Sequence, residues 1–532
     1  MPELAPAATI RAGRGMVCAV DHLAAGAGGA MLRAGGTAAD AAVAASAVLA
    51  VTSQHLCGMG GDLLAVIHTG SGPPLALNAS GRAGSGADPA RLRAEGHTRM
   101  PPLGDIRAVP VPGCVDGWLA LHERFGRLDL AAVLEPARSY AEEGFPASPT
   151  LAAMAPTVAH LPEASDYSRH GRLRAGTILQ RPGVARALAA IARDGRRGFY
   201  EGEFGAGLLA LGDGEHVEAD LARPQADWVP ALELAAWSHR LWTVPPSSQG
   251  YLTLAAAWIA EGLPLPEDPD DPRWAHLLIE ATRQAAFDRP AVLHEGADGA
   301  ALLAPQRLAL RRAAIDPERA SVLEQPAIIG DTIALCAVDH ERRGVSLLQS
   351  NAAGFGCHLV VPGVRIFLHD RGVGFSLQPG HPAEYGPGRR PPHTLSPTLV
   401  TAQTGELRAV TGTMGGDSQP QILLQVLARA LAVGQGAGDA IAAGRWALAP
   451  PAQASASSIG FDTWDSGGQV DVRIEGHAPL GWDSGLRLRG HSVVREAPYN
   501  GSFGHAHLIA VHDDHLAGAT DPRPRSGGVS AW

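Results

Sequence analysis

Thr332 is the residue whose setting most suggests covalent chemistry. It follows the small polar pair Gly330-Asp331 and leads into the apolar run Ile333-Ala334-Leu335-Cys336-Ala337-Val338. A strand that opens on a threonine is how a new polypeptide would begin if a precursor cut its own Asp331–Thr332 bond. The freed α-amine would then lie beside the hydroxyl, so that one residue carries both nucleophile and base. An Asp-Thr pair before a strand is more commonly an ordinary turn, so the remaining segments must decide between the two.

Four later segments could serve such a nucleophile. Gln349-Ser350-Asn351-Ala352-Ala353-Gly354 ends a strand and offers a hydroxyl and an amide. His369-Asp370-Arg371-Gly372-Val373-Gly374 is a polar cluster after an apolar strand, otherwise a solvated turn. Arg390-Pro391-Pro392-His393-Thr394-Leu395-Ser396-Pro397 is stiffened by proline on both sides and suits the presentation of side chains in a pocket. Thr413-Met414-Gly415-Gly416-Asp417-Ser418 enters a helix, and successive backbone N–H groups at such a turn can hold an oxyanion. A Ser/His/Asp triad is the competing idea, but Gly81-Arg82-Ala83-Gly84-Ser85 does not form the five-residue Gly-x-Ser-x-Gly elbow that would carry it.

The elements that must position these residues follow from periodicity. Residues 24–50 read as two Ala-rich helices broken at Gly35-Gly36, with Asp40 in an apolar setting as a partner for backbone groups. Cys57-Gly58-Met59-Gly60-Gly61-Asp62 then leads into a strand over 63–68. The order is helix, glycines, strand, whereas a phosphate loop needs strand, glycines, helix. Helices are expected over 115–144, 184–195, 252–261 and 273–288. After Thr332 strands dominate, at 333–339, 344–350, 359–368, 395–402 and 407–411, followed by a helix over 419–433.

Composition narrows the class. The 532 residues are 45% hydrophobic with a formal net charge of −10, which fits a globular chain and not a nucleic-acid binder. No run of about twenty uncharged apolar residues predicts a membrane span. The N-terminus lacks a basic stretch before an apolar core, so cytoplasmic residence is the expectation. The cysteines (Cys18, Cys57, Cys114, Cys336, Cys357) are scattered, so buried free thiols are expected and a metal site is not.

Taken in order, these pieces resemble the γ-glutamyltranspeptidase family of N-terminal nucleophile hydrolases. The resemblance runs over nearly the whole chain. It rests on Leu32-Arg33-Ala34-Gly35-Gly36-Thr37-Ala38-Ala39-Asp40, Gly58-Met59-Gly60-Gly61-Asp62, Val111-Pro112-Gly113, Ala141-Glu142-Glu143-Gly144-Phe145, Pro245-Pro246 with Gln249-Gly250, Gly330-Asp331-Thr332, Arg390 to Pro397 and Met414-Gly415-Gly416-Asp417. It implies an α/β fold, a four-layer αββα sandwich built jointly by a large subunit (1–331) and a small subunit (332–532) that stay associated after self-cleavage. It implies Thr332 as nucleophile and α-amine base, Ser350 as supporting hydroxyl, Gly415 and Gly416 as oxyanion hole, and no cofactor. Asn351, Arg371, His393 and Thr394 become candidates for binding a small-molecule acyl or amide substrate, His393 and Thr394 standing where typical members have two serines.

Two departures from the family pattern are as informative. Typical members hold the α-carboxylate of glutamate with an arginine followed by an acid. Here Ser80 occupies the arginine's place and Arg82 comes about two positions late. The acid that holds the α-amino group is replaced by Gly374. A charged group entering a buried pocket without a counter-charge costs several kcal/mol, so a free γ-glutamyl amide is not the expected substrate. The chemistry expected is cleavage of an amide through a threonyl ester, the acyl group being γ-glutamyl or a relative of it. The alternatives are a biosynthetic tailoring enzyme, even one cleaving a carbon–carbon bond, and a non-processing relative that only binds ligand.

Overall fold

The computed structural model describes residues 7–168, 171–321, 332–449 and 470–532. Two seven-stranded sheets form its centre. In the first, the order across the sheet is Gly528–Ala531, Met16–Ala19, Ile333–Val338, Gly344–Ser350, Asp62–His68, Leu75–Ala79 and Asp227–Pro230. In the second it is Ile10–Ala12, Leu516–Thr520, Ala506–Val511, Leu407–Thr413, Thr398–Ala402, His239–Thr243 and Leu232–Ala236. Neighbouring strands within both sheets are antiparallel.

Strand alternation sends the two faces of each sheet to different cores. Leu64, Val66, Ala334, Cys336, Val338 and Leu348 of the first sheet meet Trp242, Leu399, Val410, Ile509 and Leu516 of the second. Their alternates Leu63, Ala65, Ile333, Leu335 and Leu347 pack against helices His22–Arg33, Ala38–Thr52 and Cys114–Phe125. The second sheet's outer face is covered by helices Tyr251–Glu261, Pro272–Ala286 and Gln419–Leu427. The result is the expected four-layer αββα sandwich. Of the fourteen strands, seven precede Thr332 and seven follow it, so both sheets are woven from both expected subunits.

The local expectations hold where the pattern is strong. The two Ala-rich helices are His22–Arg33 and Ala38–Thr52. Every residue of the second is buried, which only small side chains allow between a sheet and neighbouring helices. Asp40 satisfies backbone donors: its carboxylate accepts from the N–H of Thr37 at 2.8 Å and of Arg127 at 2.9 Å. Three expectations need correction. The helix expected over 115–144 is two, Cys114–Phe125 and Leu130–Glu143, because Gly126 ends the first and Asp129 caps the second. The strand expected over 359–368 is a short hairpin, Val360–Val361 with Ile366–Phe367, because Pro362-Gly363 turns the chain. The helix expected to reach 433 is α-helical only over Gln419–Leu427 and widens to a π-turn at Ala428–Ala432. All five cysteines are buried and free. No helix among the described residues is long and apolar enough to cross a membrane.

Candidate active site

Sheet register assembles the site. Ile333 pairs with Gln349, Ser350 with Asp62, and Leu63 with Ala79. Carried one residue further, this register sets Thr332, Ser350, Asp62 and Ser80 side by side at one end of the first sheet. All four fall on the alternation of Ala334, Leu348, Leu64 and Ala76, so they face the second sheet. Thr332 and Ser350 are both buried, and their hydroxyl oxygens are 3.2 Å apart. Ser350 Oγ also accepts from the N–H of Ala352 at 2.8 Å, which fixes its rotamer.

Glycines bring the neighbouring loop close. A Cβ on Gly61 would collide with the carbonyl of Ser350, and one on Gly60 with that of Phe367. The motif Gly58–Asp62 is therefore shaped by close backbone approach, and its closing aspartate is delivered into the line of strand ends. From the opposite sheet, a Cβ on Gly412 would lie 3.1 Å from Ala334, so the strand Leu407–Thr413 ends at the same end of the sandwich as Thr332. Its continuation is the turn Gly415-Gly416, with φ of +135° and +53°. Both angles favour glycine. Gln249 Nε2 donates to the carbonyls of Gly416 and Thr394, each at 3.0 Å, and so pins the turn to the Pro391–Pro397 segment. Among the described residues the N–H groups of Gly415 and Gly416 have no protein acceptor, which leaves them able to stabilise an oxyanion.

Asp62 is the electrostatic hub. Its Oδ2 accepts from Arg371 Nε at 2.8 Å and from His393 Nε2 at 2.8 Å, and lies 3.4 Å from His369 Nδ1. Burial would raise the Asp62 pKa, but Arg371 and His393 outweigh it and hold the carboxyl well below its ordinary value. Burial, with Arg371 adding to it, pushes His393 down to about 4 against the pull of Asp62. The neutral ring then donates from Nε2 to Asp62 and accepts the N–H of Leu395 at Nδ1, 3.1 Å away.

The structure thus brings Thr332, Ser350, Arg371, His393, Thr394, Gly415 and Gly416 around one end of the sandwich. Arg371 Nη1 donates to Thr394 Oγ1 at 3.2 Å. Asn351 follows Ser350, but its Nδ2 donates to the Gln54 carbonyl at 3.0 Å and its side chain packs on Gly58 and Gly61. Ser80 is buried, with its hydroxyl donating to Asn78 Oδ1 at 2.7 Å. It ends the line three strands from Thr332, about 14 Å at roughly 4.8 Å per strand. Arg82 is turned to Asp227 at 2.5 Å. Asp331 lies outside the described residues.

Asp62, Gln249 and Arg289 were not singled out as site residues by sequence reasoning. Asp62 and Gln249 each closed a glycine- or proline-rich motif, and that was their only signal. Arg289 follows the helix Pro272–Ala286, and its Nη2 donates to Asp417 Oδ1 at 3.0 Å, directly after the glycine pair. Among the described residues one group of possible metal ligands comes together, His276, Glu280 and His491, all buried. Its atoms are already engaged: the two imidazoles bond at 2.8 Å, and Glu280 accepts from Arg283 and Ser321.

Comparison with known proteins agrees with this arrangement. The family model for gamma-glutamyltranspeptidase matches residues 24–532. The oxamate amidohydrolase proenzyme of Klebsiella pneumoniae is 33% identical over 97% of this chain and 98% of its own. The glutathione hydrolase-like YwrD proenzyme of Bacillus subtilis is 31% identical over the same shares, 97% and 98%. The crystal structure of cephalosporin acylase from Bacillus halodurans superposes with a TM-score of 0.89 at 32% identity, covering 100% of this chain and 98% of the other. These relatives are hydrolases, two of them proenzymes by name. The chain belongs to the gamma-glutamyltranspeptidase family, as a self-processing enzyme of its amidohydrolase kind.

Proposed function

We propose that Thr332 is the nucleophile of this amidohydrolase, and that its acyl donor is not a free γ-glutamyl amide. The observation that carries the reading is the 3.2 Å contact of the Thr332 and Ser350 hydroxyls at a strand end, close to the glycine turn. In maturation, Thr332 Oγ1 gives up its proton and attacks the carbonyl carbon of Asp331. The C–N bond breaks, the nitrogen of Thr332 takes a proton, and water hydrolyses the resulting ester. Asp331 leaves with a carboxylate and Thr332 gains a free amine, dividing the chain into 1–331 and 332–532. Because the sheets draw strands from both parts, the parts remain associated.

In turnover the amine takes the hydroxyl proton while Oγ1 attacks the substrate carbonyl, and the amides of Gly415 and Gly416 receive the oxyanion. The leaving nitrogen takes the proton, and the threonyl ester passes its acyl group to water or to an amine. Ser350 holds the attacking hydroxyl in line. Thr394 borders the acyl group and is braced by Arg371, with His393 beside it, whereas Asn351, Ser80 and Arg82 shape the surrounding backbone through partners of their own. The three relatives are named for oxamate, glutathione and cephalosporin, so family membership leaves the acyl group open.

A denaturing gel of the purified chain, with N-terminal sequencing of the smaller fragment, tests the reading. Two bands, the smaller beginning Thr-Ile-Ala-Leu, are expected. Thr332→Ala should leave one uncut band and no turnover, a loss of at least about 10⁴-fold. Cleavage surviving that substitution would move the nucleophile elsewhere.

A further inference from the structure

Among the helices that cover the second sheet, His276, Glu280 and His491 converge, and one ligand atom of each lies within 4.8 Å of the others. His276 and Glu280 stand four positions apart on the helix Pro272–Ala286, so both side chains share one face. His491 comes from the turn between the helix Leu480–Leu488 and the strand Ser492–Arg495. The bonds that engage these side chains within the protein are of the kind that aim ligands at an ion.

His276 Nε2 lies 2.9 Å from the carbonyl oxygen of Asp316, which can only accept. The ring proton is therefore on Nε2, and Nδ1 carries a lone pair that faces His491 Nε2, 2.8 Å away. A histidine whose far nitrogen donates to a backbone carbonyl is the usual setting of a metal ligand, because that bond fixes both tautomer and ring plane. Glu280 is held in the same fashion. Its Oε1 accepts from Arg283 Nη1 at 2.7 Å, and its Oε2 accepts from the Ser321 N–H at 3.0 Å and from the Ser321 hydroxyl. A carboxylate offers about four lone-pair sites, so one remains on Oε1. Moving the His491 proton from Nε2 to Nδ1 sets two imidazole lone pairs and a carboxylate around one point. His491 is 8% exposed, so the cluster reaches the edge of solvent, where an ion can enter and water can fill a fourth position.

The distances are close to what such an ion needs. Tetrahedral zinc with bonds of about 2.0–2.1 Å sets neighbouring ligand atoms about 3.3 Å apart, so the two imidazoles need to part by only about 0.5 Å. Two imidazoles and a carboxylate suit zinc or cobalt better than the all-oxygen cages of calcium and magnesium. The charge of Arg283 on Glu280 opposes a cation and makes the site a moderate binder.

We propose that His276, Glu280 and His491 bind one divalent transition-metal ion, zinc or cobalt in type, which clips the two parts of the chain together. His276 and Glu280 precede the Asp331–Thr332 bond and His491 follows it. The last described residues before that bond are drawn to the same place: the Ala320 N–H donates to the Arg489 carbonyl at 2.7 Å, and Ser321 to Glu280. The metal site stands wherever the chain is cut, whereas its role as a bridge rests on the cleavage proposed above.

The self-processed enzyme, stripped of metal by chelation, is titrated with Co2+. One equivalent should bind with the visible absorption of a four-coordinate site, and Zn2+ should displace it. Zn2+ should also raise the thermal midpoint by a few degrees and the urea concentration at which the two fragments separate on a sizing column. His276→Gln and His491→Gln should each lose that equivalent and both shifts. Because a buried glutamine can loosen the fold, His491→Cys is the second variant. It should bind Co2+ and show a thiolate-to-cobalt charge-transfer band that the unaltered chain lacks. No cobalt spectrum, a spectrum unchanged in both glutamine variants, or His491→Cys without the new band overturns the proposal. Cobalt bound by a chain that stays uncut would keep the site and remove the bridge. Two fragments without cobalt binding would remove the site and leave Thr332 standing.

Discussion

The strand-borne and loop-borne halves of this site use their polar side chains differently. Thr332 and Ser350 sit at the ends of paired strands, where register brings their hydroxyls within 3.2 Å and the Ala352 N–H fixes the Ser350 rotamer. Arg82, Asn351 and Arg371 sit on connecting segments, and each side chain has a partner that shapes the protein itself: Asp227, the Gln54 carbonyl and Asp62 respectively. A strand fixes direction without asking the side chain to help. A loop must be fixed by its own side chains, so a polar residue there is more often a brace than a ligand. The contrast predicts that substitutions in the strand-borne half cost rate, whereas those in the loop-borne half cost stability.

Asp62 should give the largest effect, because it is a strand residue that also braces loops. Asp62→Asn leaves the buried Arg371 without its carboxylate, and breaking one side of a buried pair costs about 3–5 kcal/mol. A matching loss in denaturant or thermal midpoint is expected. A midpoint unchanged within error would show that Arg371 does not depend on Asp62 and would remove the hub. Ser350→Ala comes next and should do the opposite. It should lower kcat roughly 10–100-fold, about 1.4–2.7 kcal/mol of barrier, with little change in KM or melting temperature. A fall in stability without a fall in rate would make Ser350 a brace like the others.

These differences also explain what the sequence could convey. Thr332 and Ser350 were legible because each stands at the end of an apolar run that reads as a strand, and the family resemblance supplied their roles. The helix Ala38–Thr52 was legible too, its small residues and its Asp40 partner both reading as burial. Asp62 was not, since its partners Arg371 and His393 lie 309 and 331 positions away and no local pattern links them. The strands Asp227–Pro230, Leu232–Ala236 and His239–Thr243 also went unread. They lie at or near sheet margins and are only four or five residues long, with no sustained polar/apolar alternation and Pro230 ending the first. Arg289 escaped because a basic residue just after a helix reads as a cap or a surface charge until its bond to Asp417 is seen.

The His393 ring sharpens the comparison through pH. Its pKa is 6.5 when unperturbed and about 4 in the folded chain, so between those values the unfolded state binds more protons. Its contribution is complete above pH 6.5 and is lost as pH falls towards 4, with a slope approaching about 1.4 kcal/mol per pH unit. His393→Gln should therefore flatten the fall of the thermal midpoint across that window. An unchanged slope would mean that the ring titrates in the folded chain as it does in the unfolded one, the pull of Asp62 then balancing burial and the charge of Arg371.

The smallest effect is expected at Arg82, and it is the sharpest test of the loop-borne half. Arg82 stands near the position where typical family members carry a substrate-binding arginine, yet its guanidinium holds Asp227, a residue 45% exposed. Asp227 has a second partner, Arg390, at 2.7 Å. Burial and then the charge of Arg82 bring the Arg390 pKa down to about 10 against the pull of Asp227, so the two arginines oppose each other across one carboxylate. Removing Arg82 gives up a partly solvated ion pair but relieves that repulsion and leaves Asp227 paired. Arg82→Ala should then change stability by less than about 1 kcal/mol and kcat/KM by less than about threefold. A tenfold rise in KM with unchanged stability would return Arg82 to the substrate and break the division between strand chemistry and loop bracing.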